Sequence, residues 1–347
     1  MKSLLIVSDA WHPQINGVVR SIERTVEELH RLGVRVEVLS PADFYTVPCP
    51  TYSEIRLTLT TPAALRRRIE AGDFEHLHIA TEGPLGLLAA RVARGLGRAF
   101  TTSYHTRFPE YLSARMPVPV SWSYAWLRRF HNSGNGCMVA TPTLERELRA
   151  RGFTNLMRWS RGVDHELFRP REGEPRAVEL ASRAGPIFMY VGRVAVEKNI
   201  TAFLDLDLPG TRVVVGDGPQ LAELRARYQQ VLFTGSKTGE ELARHYAAAD
   251  VVVFPSLTDT FGNVVLEALA CGVPVAAYPV MGPQDILEGT GAGILDADLG
   301  QAALAALAVS RARCREVALT YRWEQSTRQF IENCNAAAAN AAIPGAA

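Results

Sequence analysis

Short apolar runs alternate with amphipathic stretches along the chain. In the first half these runs are SLLIVSD, RVEVLSP, HLHIA, AFTTSYH, CMVATP and NLMRWS, and each is followed by a loop or a helix-like segment. Between residues 18 and 32, apolar side chains recur every three or four residues and Gly33 follows, which is typical of a core-facing helix that ends at glycine. The alternation predicts a doubly wound α/β domain with a parallel sheet.

The same alternation begins again at residue 187, in IFMYVGRV, and continues through TRVVVGDG, VLFTGSK, VVVFPS, PVAAYP and AGILD. Between the halves, residues 164–185 are rich in proline, glycine and charge without a period, which indicates a linker. We therefore expect two facing Rossmann-like domains with a deep cleft between them, residues 1–165 and 166–312. Residues 301–334 have a helical pattern, and we expect a C-terminal helix over 313–335 to return to the first domain.

The composition is that of a globular protein, because 47% of the 347 residues are hydrophobic and 21% are charged. Residues 1–165 hold 21 basic and 15 acidic side chains, a balance that suits an anionic ligand or membrane surface. No aromatic RNA motif accompanies this charge, so a nucleic-acid partner is not indicated. No apolar run approaches the ~20 residues of a membrane span, and the N-terminal apolar run is too short for a secretory signal. The five cysteines are scattered, which suggests a reducing compartment. These features favour a cytoplasmic protein, free or peripheral on the inner face of the membrane.

Two strand-to-helix junctions place glycine where a backbone can approach an anion. They are Asn16-Gly17, and the segment 260–263, Thr-Phe-Gly-Asn, ahead of the helix that contains Glu267. Helix N-termini present unpaired N–H groups and a partial positive charge, so two such ends can hold one diphosphate. Taken alone, an Asn-Gly pair more often forms a simple turn.

Basic side chains follow the strand that begins at residue 187. Arg193 and Lys198 lie five residues apart where that strand ends, and α/β sheets bind ligands at the carboxyl ends of their strands. Such a pair can neutralise a diphosphate, although surface charge with Glu197 as a local partner is the alternative. The Gly-Asp-Gly of 216–218 lacks the third glycine of the dinucleotide fingerprint, which disfavours a nicotinamide enzyme.

Two carboxylates, Asp259 and Glu267, are eight residues apart across a loop and the first turns of a helix. A helical carboxylate can accept hydrogen bonds from vicinal hydroxyls, and one in the loop can orient a sugar ring. The alternative is an acid favoured by the helix dipole together with an exposed glutamate. Two Asp-x-Asp pairs, 205–207 and 296–298, fall at a helix end and after an edge-like strand, so we predict no metal site and no cofactor.

Together and in order, these segments resemble the retaining glycosyltransferases of family 4, which have the GT-B fold of two facing Rossmann domains. The resemblance covers nearly the whole chain. It is carried by SDAWHPQINGVVRS, TTSYHTRFPEYL, RGVDHELFRP, GRVAVEKNI, VVGDGP, FTGSKTGEELARHYAAADVVVFPS and TDTFGNVVLEALACGVPVAA. It implies transfer of a hexose from GDP-mannose or a UDP-hexose to a hydroxyl acceptor, a membrane glycolipid or diacylglycerol-type lipid.

The resemblance also implies roles for individual residues. Gly17, Arg193 and Lys198 would bind the donor diphosphate, and Glu267 would hold the nucleotide ribose. Asp259 occupies the first acidic position of the family's E-x7-E pattern, which usually has glutamate there. His105 would lie beside the transferred sugar. The phosphate and sugar cradle would be completed by backbone amides of Phe261, Gly262, Asn263 and Val264.

The charges that develop during glycosyl transfer predict how the reaction is catalysed. Breaking a glycosyl phosphate bond leaves negative charge on the diphosphate and an oxocarbenium-like sugar, so cations aimed at the phosphate lower the barrier without a metal. The catalytic residues we expect are His105, Arg193, Lys198 and Asp259. In the family the acceptor is thought to attack on the face that the phosphate leaves, and the phosphate then takes the acceptor's proton.

The acceptor side is expected in the first domain. Residues 107–131 combine aromatic and basic side chains, which suits a membrane interface, whereas a helix pair with its aromatics in the core is the alternative. Acceptor contacts are expected from Arg20, Glu82, Tyr104 and Tyr111. Arg20 and Glu82 can also be ordinary surface or turn residues.

Two other functions fit the same residues. A nucleotide-sugar 2-epimerase on this fold would need acid–base residues around the sugar C2, and free nucleotide diphosphate that appears only with an acceptor distinguishes transfer from it. A non-catalytic protein that binds a nucleotide sugar would release none, and the aspartate at position 259 keeps this alternative open.

Overall fold

The computed structural model describes residues 1–14, 16–49, 52–113, 118–174, 177–183 and 185–341. Arg115, Met116 and Pro117 of the aromatic and basic stretch lie outside these residues. The chain forms two compact units, the first being Met1–Arg161 with Trp323–Ala347 and the second Gly162–Arg322. The division therefore follows residue 161, where the sequence pattern suggested 165, and the second unit extends to residue 322, where it suggested 312.

The first unit is built on a six-stranded parallel sheet in the order β2-β1-β5-β6-β7-β8. A separate antiparallel hairpin, which the sequence pattern did not predict, is formed by β3 and β4. The strands are β1 Ser3–Val7, β2 Arg35–Leu39, β3 Tyr45–Cys49, β4 Tyr52–Leu59, β5 His76–Ile79, β6 Thr101–Ser103, β7 Gly136–Val139 and β8 Leu156–Arg158. The helices are α1 Gly17–Arg31, α2 Pro62–Ala71, α3 Pro84–Gly95, α4 Phe108–Ser113, α5 Val120–His131 and α6 Pro142–Ala150.

Helix α1 shows why the sequence period predicts its bounds. Asn16 caps its first turn, and Val19, Ile22 and Leu29 form its buried face. The chain leaves the helix through Gly33, whose φ of +78° is a left-handed conformation that favours glycine. The predicted helix is confirmed, and its position brings Gly17 to the carboxyl end of β1.

The second unit repeats the design with the parallel order β11-β10-β9-β12-β13-β14. The strands are β9 Ile187–Val191, β10 Thr211–Val215, β11 Leu232–Gly235, β12 Val251–Phe254, β13 Val275–Ala277 and β14 Gly293–Leu295. The helices are α7 Thr201–Leu204, α8 Leu221–Arg227, α9 Gly239–Ala248, α10 Asn263–Ala270, α11 Pro283–Leu287, α12 Leu299–Ala306 and α13 Arg311–Ala318. Strands β9 and β12 are buried along their whole lengths, as expected for strands covered on both faces. The predicted α/β class with two Rossmann-like sheets is confirmed.

The C-terminal segment does not form one helix over 313–335. It breaks after α13, and a longer helix, α14, Trp323–Ala341, belongs to the first unit. Phe330 and Cys334 of α14 are buried in the same cluster as Leu4, Ile22 and Leu29. The first unit is therefore built from both ends of the chain.

Candidate active site

In the second unit, two loops at the carboxyl ends of β9 and β12 bring predicted site residues together. The strands are neighbours and parallel, so the loops that follow them lie side by side. The Lys198 Nζ forms a 2.6 Å ion pair with Asp259 Oδ1, and both side chains are partly buried. Asn199 Nδ2 donates to the Pro255 carbonyl at 3.1 Å, and Thr258 Oγ1 donates to the Glu197 carbonyl at 3.3 Å. The loops are therefore joined at three points around the ammonium group.

Arg193 lies on the first of these loops, directly after Gly192. Its carbonyl accepts a 2.7 Å hydrogen bond from the Tyr190 hydroxyl. The loop that follows β10 packs closely against the loop that carries Arg193. A Cβ on Gly216 would lie 1.8 Å from the Gly192 carbonyl oxygen, and a Cβ on Gly218 would lie 2.4 Å from the carbonyl oxygen of residue 194. The Gly-Asp-Gly glycines thus serve backbone packing that supports the arginine loop.

The second loop leads into α10 through Gly262, whose φ of +92° requires glycine's freedom. The N-cap residue, Gly262, has no side chain with which to cap the first turn of α10. Phe261 is buried against Tyr321, so what it offers a ligand is its backbone. Gly262, Asn263 and Val264 are partly buried at this turn. An α-helix that begins without a side-chain cap directs its amide dipoles at whatever anion lies before it.

Glu267 projects from the second turn of α10 and is nearly buried. Its Oε2 accepts a 2.8 Å hydrogen bond from the hydroxyl of Tyr246 on α9. This bond orients the carboxylate, a group that can accept about four hydrogen bonds, including those from ligand hydroxyls. Sequence reasoning missed Tyr246, although it lies within the ARHYAAAD stretch of one matching motif.

In the first unit, the N-terminus of α1 differs from that of α10. Asn16 Oδ1 accepts from the backbone N–H of both Val18 and Val19 at 3.0 Å. The Asn16 side chain therefore already satisfies two donors of α1. Gly17 itself is exposed, and its contact to a diphosphate stays a prediction.

His105 lies two residues beyond β6 and contacts a side chain that sequence reasoning did not single out. Its Nδ1 is 3.2 Å from Nη2 of Arg161, which is 4% exposed and lies over the Trp159 ring at 4.0 Å. Burial, with the neighbouring positive charge of Arg161 as the next cause, lowers the pKa of His105 well below its usual value. The imidazole is therefore neutral at pH 7. The one sequence signal for Arg161 was its place as the first residue of the RGVDHELFRP motif.

The four residues expected on the acceptor side lie in different environments. Tyr104 is 1% exposed and packs against His131 and Phe153, which places it in the core and corrects its assignment to the acceptor surface. Arg20 on α1 and Tyr111 on α4 are partly buried.

Glu82 is partly buried in the loop between β5 and α3. Burial, with a smaller contribution from Asp9, raises its pKa to about 7. Asp9 has a structural use, because its oxygens accept from the backbone N–H of Leu85 at 2.8 Å and of Gly86 at 3.0 Å. It thereby caps α3 and holds the loop that carries Glu82.

The two Asp-x-Asp pairs have local structural partners. Asp205 accepts from the Tyr228 hydroxyl, and Asp298 caps α12 by accepting from the N–H groups of Gly300 and Gln301. Across the described ranges, no three His, Cys, Asp or Glu side chains are grouped as metal ligands would be.

Comparison with known proteins identifies the family. The model described as Glycosyltransferase Family 4 matches residues 15–167, and the one described as Glycosyl transferases group 1 matches residues 185–311. A GDP-mannose-dependent alpha-mannosyltransferase of Mycobacterium tuberculosis is 31% identical over 311 residues, covering 84% of this chain and 82% of that protein. The chain belongs to glycosyltransferase family 4. The predicted enzyme class, a retaining hexosyltransferase that uses a nucleotide-sugar donor, is confirmed, and transfer is favoured over the epimerase and binding-only alternatives.

Two further similarities concern a lipid enzyme and the fold. An alpha-monoglucosyldiacylglycerol synthase of Streptococcus pneumoniae is 26% identical, covering 79% of this chain and 70% of that protein. The solved structure of a sucrose-phosphate synthase from Thermosynechococcus elongatus has a TM-score of 0.75 at 21% identity, covering 96% of this chain and 98% of that one. The glycosyltransferase thus has the GT-B fold. No helix in the part of the chain that the structure describes has the length and apolar character to cross a membrane.

Proposed function

We propose that this glycosyltransferase moves a hexose from GDP-mannose or a UDP-hexose to a hydroxyl of a membrane lipid, with retention of configuration. The observation that carries the proposal is the Lys198 ammonium group at the end of β9, 2.6 Å from Asp259, in the same unit as Arg193 and the N-terminus of α10. The lipid acceptor is supported by the similarity to the alpha-monoglucosyldiacylglycerol synthase, and GDP-mannose as a donor by the similarity to the GDP-mannose-dependent alpha-mannosyltransferase.

The donor half of the reaction follows from these charges. As the glycosyl phosphate bond breaks, negative charge grows on the diphosphate, and Lys198 and Arg193 stabilise it together with the dipole of α10. The diphosphate competes with Asp259 for the ammonium group. Asp259 Oδ2 is buried and has no hydrogen-bond partner among the described residues, so it can accept from a hydroxyl of the bound sugar.

Glu267 completes the donor site as the group that binds the nucleotide ribose. The Tyr246 hydroxyl holds its carboxylate in one orientation, which lowers the entropic cost of binding vicinal hydroxyls. Backbone amides from Phe261 to Val264 face the same end of the sheet and serve the phosphate and sugar cradle. His105, on the first unit, is the residue proposed beside the transferred sugar.

The acceptor half involves the outer face of α5. Tyr124, Leu127 and Phe130 are buried on its inner face. The outer face presents Trp122, which is 72% exposed, and Trp126, which is 40% exposed, with the exposed Arg129 one turn further on. Residues spaced at 122, 126 and 129 lie on one side of a helix. Exposed tryptophans beside arginine suit the headgroup region of an anionic bilayer, where we propose that the enzyme meets its lipid.

The test of the reaction is a panel of labelled GDP- and UDP-hexoses incubated with membrane lipid extract, followed by lipid chromatography. We expect label in one lipid product with one donor and stoichiometric release of nucleotide diphosphate. Transfer to water-soluble sugars alone, with none to lipid, would contradict the lipid acceptor.

The test of membrane binding is co-sedimentation with vesicles of phosphatidylcholine containing or lacking phosphatidylglycerol. We expect binding only to the anionic vesicles and weaker binding by the W122S/W126S variant. The matched control is L304S/L307S, which replaces two exposed apolar residues of the second unit. Equal binding by both variants would remove α5 from the proposal.

A further inference from the structure

Arg161 is a buried charged side chain to which neither the family motifs nor the reaction assigns a use. Its Nη1 donates to the carbonyls of Trp159 at 2.9 Å and Ser160 at 3.1 Å, and its Nη2 lies 3.2 Å from His105 Nδ1. No carboxylate among the described residues is within ion-pair distance of it. A buried guanidinium without a counter-ion is costly, so its position calls for a specific use.

The contact with His105 has a defined direction. An arginine guanidinium has N–H donors and no acceptor, so His105 Nδ1 must be the acceptor in this bond. A neutral imidazole carries one proton, which then lies on Nε2. Arg161 stays charged at neutral pH, because burial lowers its pKa only to about 9. Protonating Nδ1 would break the bond and place two positive charges in contact.

The ring of His105 is also held from the side. Trp159, which is 1% exposed, packs edge to face against it with ring centroids 5.8 Å apart. The same indole lies under the Arg161 guanidinium at 4.0 Å. One aromatic side chain thus supports both partners of the bond, and neither can rotate without losing packing.

We propose that Arg161 is a positioning residue that holds His105 neutral, with its proton on Nε2, as a hydrogen-bond donor to the transferred sugar. This inference rests on the proposed function, in which His105 lies beside the sugar. A neutral donor can bind a sugar hydroxyl without adding positive charge next to an oxocarbenium-like carbon, whereas an imidazolium would oppose the charge that develops there. Arg161, His78 and His131 lie near His105, and the positive charge of Arg161 opposes its protonation.

The first test is NMR spectroscopy of the whole chain labelled with ¹⁵N-histidine, because ¹⁵N shifts distinguish protonated from unprotonated ring nitrogens. The His105 signals are assigned by their loss in H105Q. We expect an unprotonated Nδ1 and a protonated Nε2, unchanged between pH 7 and pH 5. A proton on Nδ1 would overturn the proposal without any variant at Arg161 being made.

The second test compares Arg161→Met and Arg161→Lys with the control Arg149→Met, which removes an exposed arginine of the same unit. In Arg161→Met we expect mixed tautomers and a His105 pKa that rises toward 6.5, the ordinary value of histidine. The signals of His131, which bonds Thr102 rather than an arginine, should not move. Unchanged His105 signals in both variants would overturn the proposal, and Arg161→Lys keeps the test available if Arg161→Met does not fold.

The third test is the pH dependence of sugar transfer. A misoriented His105 should lower kcat of Arg161→Met about 10–100-fold. The remaining activity should fall with decreasing pH through the raised His105 pKa, while Kd for nucleotide diphosphate stays unchanged. A pH profile and kcat identical to those of the unsubstituted enzyme would overturn the catalytic part. If the unsubstituted enzyme shows the Nε2 proton but transfers no sugar to lipid, the proposed function fails and the pairing of Arg161 with His105 stands.

Discussion

The first unit contains two fully buried histidines whose protonation opposes folding. His78 Nδ1 lies 2.8 Å from Thr101 Oγ1 and its Nε2 lies 2.9 Å from Ser103 Oγ, while His131 Nδ1 lies 2.9 Å from Thr102 Oγ1. Burial lowers the pKa of each histidine to about 3, with Arg161 as a smaller cause for His78. Because the folded-state pKa lies below the unfolded value of 6.5, the unfolded chain binds protons first as the pH falls. The free energy of unfolding contributed by each histidine is therefore fully present above pH 6.5 and lost as the pH falls toward 3.

The magnitude follows from the pKa values. Between pH 7 and pH 5 each unfolded-state histidine gains about 0.7 of a proton that the folded state does not bind, which lowers the free energy of unfolding by about 2 kcal/mol per residue. Glu82 acts in the opposite direction over this range, because its folded-state pKa of about 7 lies above its unfolded value. A single-histidine variant isolates the effect, since Glu82 contributes equally to variant and parent.

The assay is urea unfolding followed by tryptophan fluorescence at pH 7 and pH 5. All five tryptophans, at positions 11, 122, 126, 159 and 323, belong to the first unit, so the signal reports that unit alone. His131→Gln should lower stability at pH 7 and reduce the loss between pH 7 and pH 5 by about 2 kcal/mol. The control His30→Gln, at an exposed position on α1, should leave that loss unchanged. An identical loss in His131→Gln and the parent would refute the reasoning.

Three further substitutions test the second unit. Lys198→Ala should lower kcat/KM about 10²–10³-fold with the fold intact, because it removes a cation from the departing diphosphate. Tyr246→Phe removes the hydroxyl that orients Glu267 and should weaken nucleotide-diphosphate binding in calorimetry by about 1.5 kcal/mol, roughly tenfold. Gly216→Ala places a methyl group 1.8 Å from the Gly192 carbonyl oxygen and should lower the stability of this unit by about 3 kcal/mol or more, measured by circular dichroism during urea unfolding.

Two of these substitutions have matched controls, and two have a stated result that would contradict the prediction. Lys237→Ala removes the other lysine of the unit, which pairs with Glu179 and Glu241, and should retain catalysis. Near-normal turnover by Lys198→Ala would remove Lys198 from the mechanism. Gly235 also has a positive φ, but an added Cβ would meet no atom within 4 Å. Gly235→Ala should therefore lower the free energy of unfolding by only about 1 kcal/mol. Tyr246→Phe with unchanged nucleotide affinity would show that Glu267 needs no orientation.

Sequence alone determined the features that depend on local periodicity and short motifs. The alternation of apolar runs and amphipathic stretches is enough to predict two Rossmann-like units, because each strand and helix buries a face with its own period. The bounds of α1 follow from its apolar spacing and Gly33. The residues proposed for the donor site, Arg193, Lys198, Asp259 and Glu267, were predicted because they lie within spaced motifs.

Only the tertiary structure decided which side chains meet. Lys198 and Asp259 are 61 residues apart, and they pair because β9 and β12 are neighbours in the sheet. Arg161 and His105 are 56 residues apart in the sequence and likewise meet only because the fold brings them together. No local sequence pattern predicts either contact. The burial of Tyr104 and the return of α14 to the first unit likewise depend on packing between distant segments. The spacing of apolar residues shows which side of a helix or strand is buried. The residues that pack against that side are determined by the fold of the whole chain.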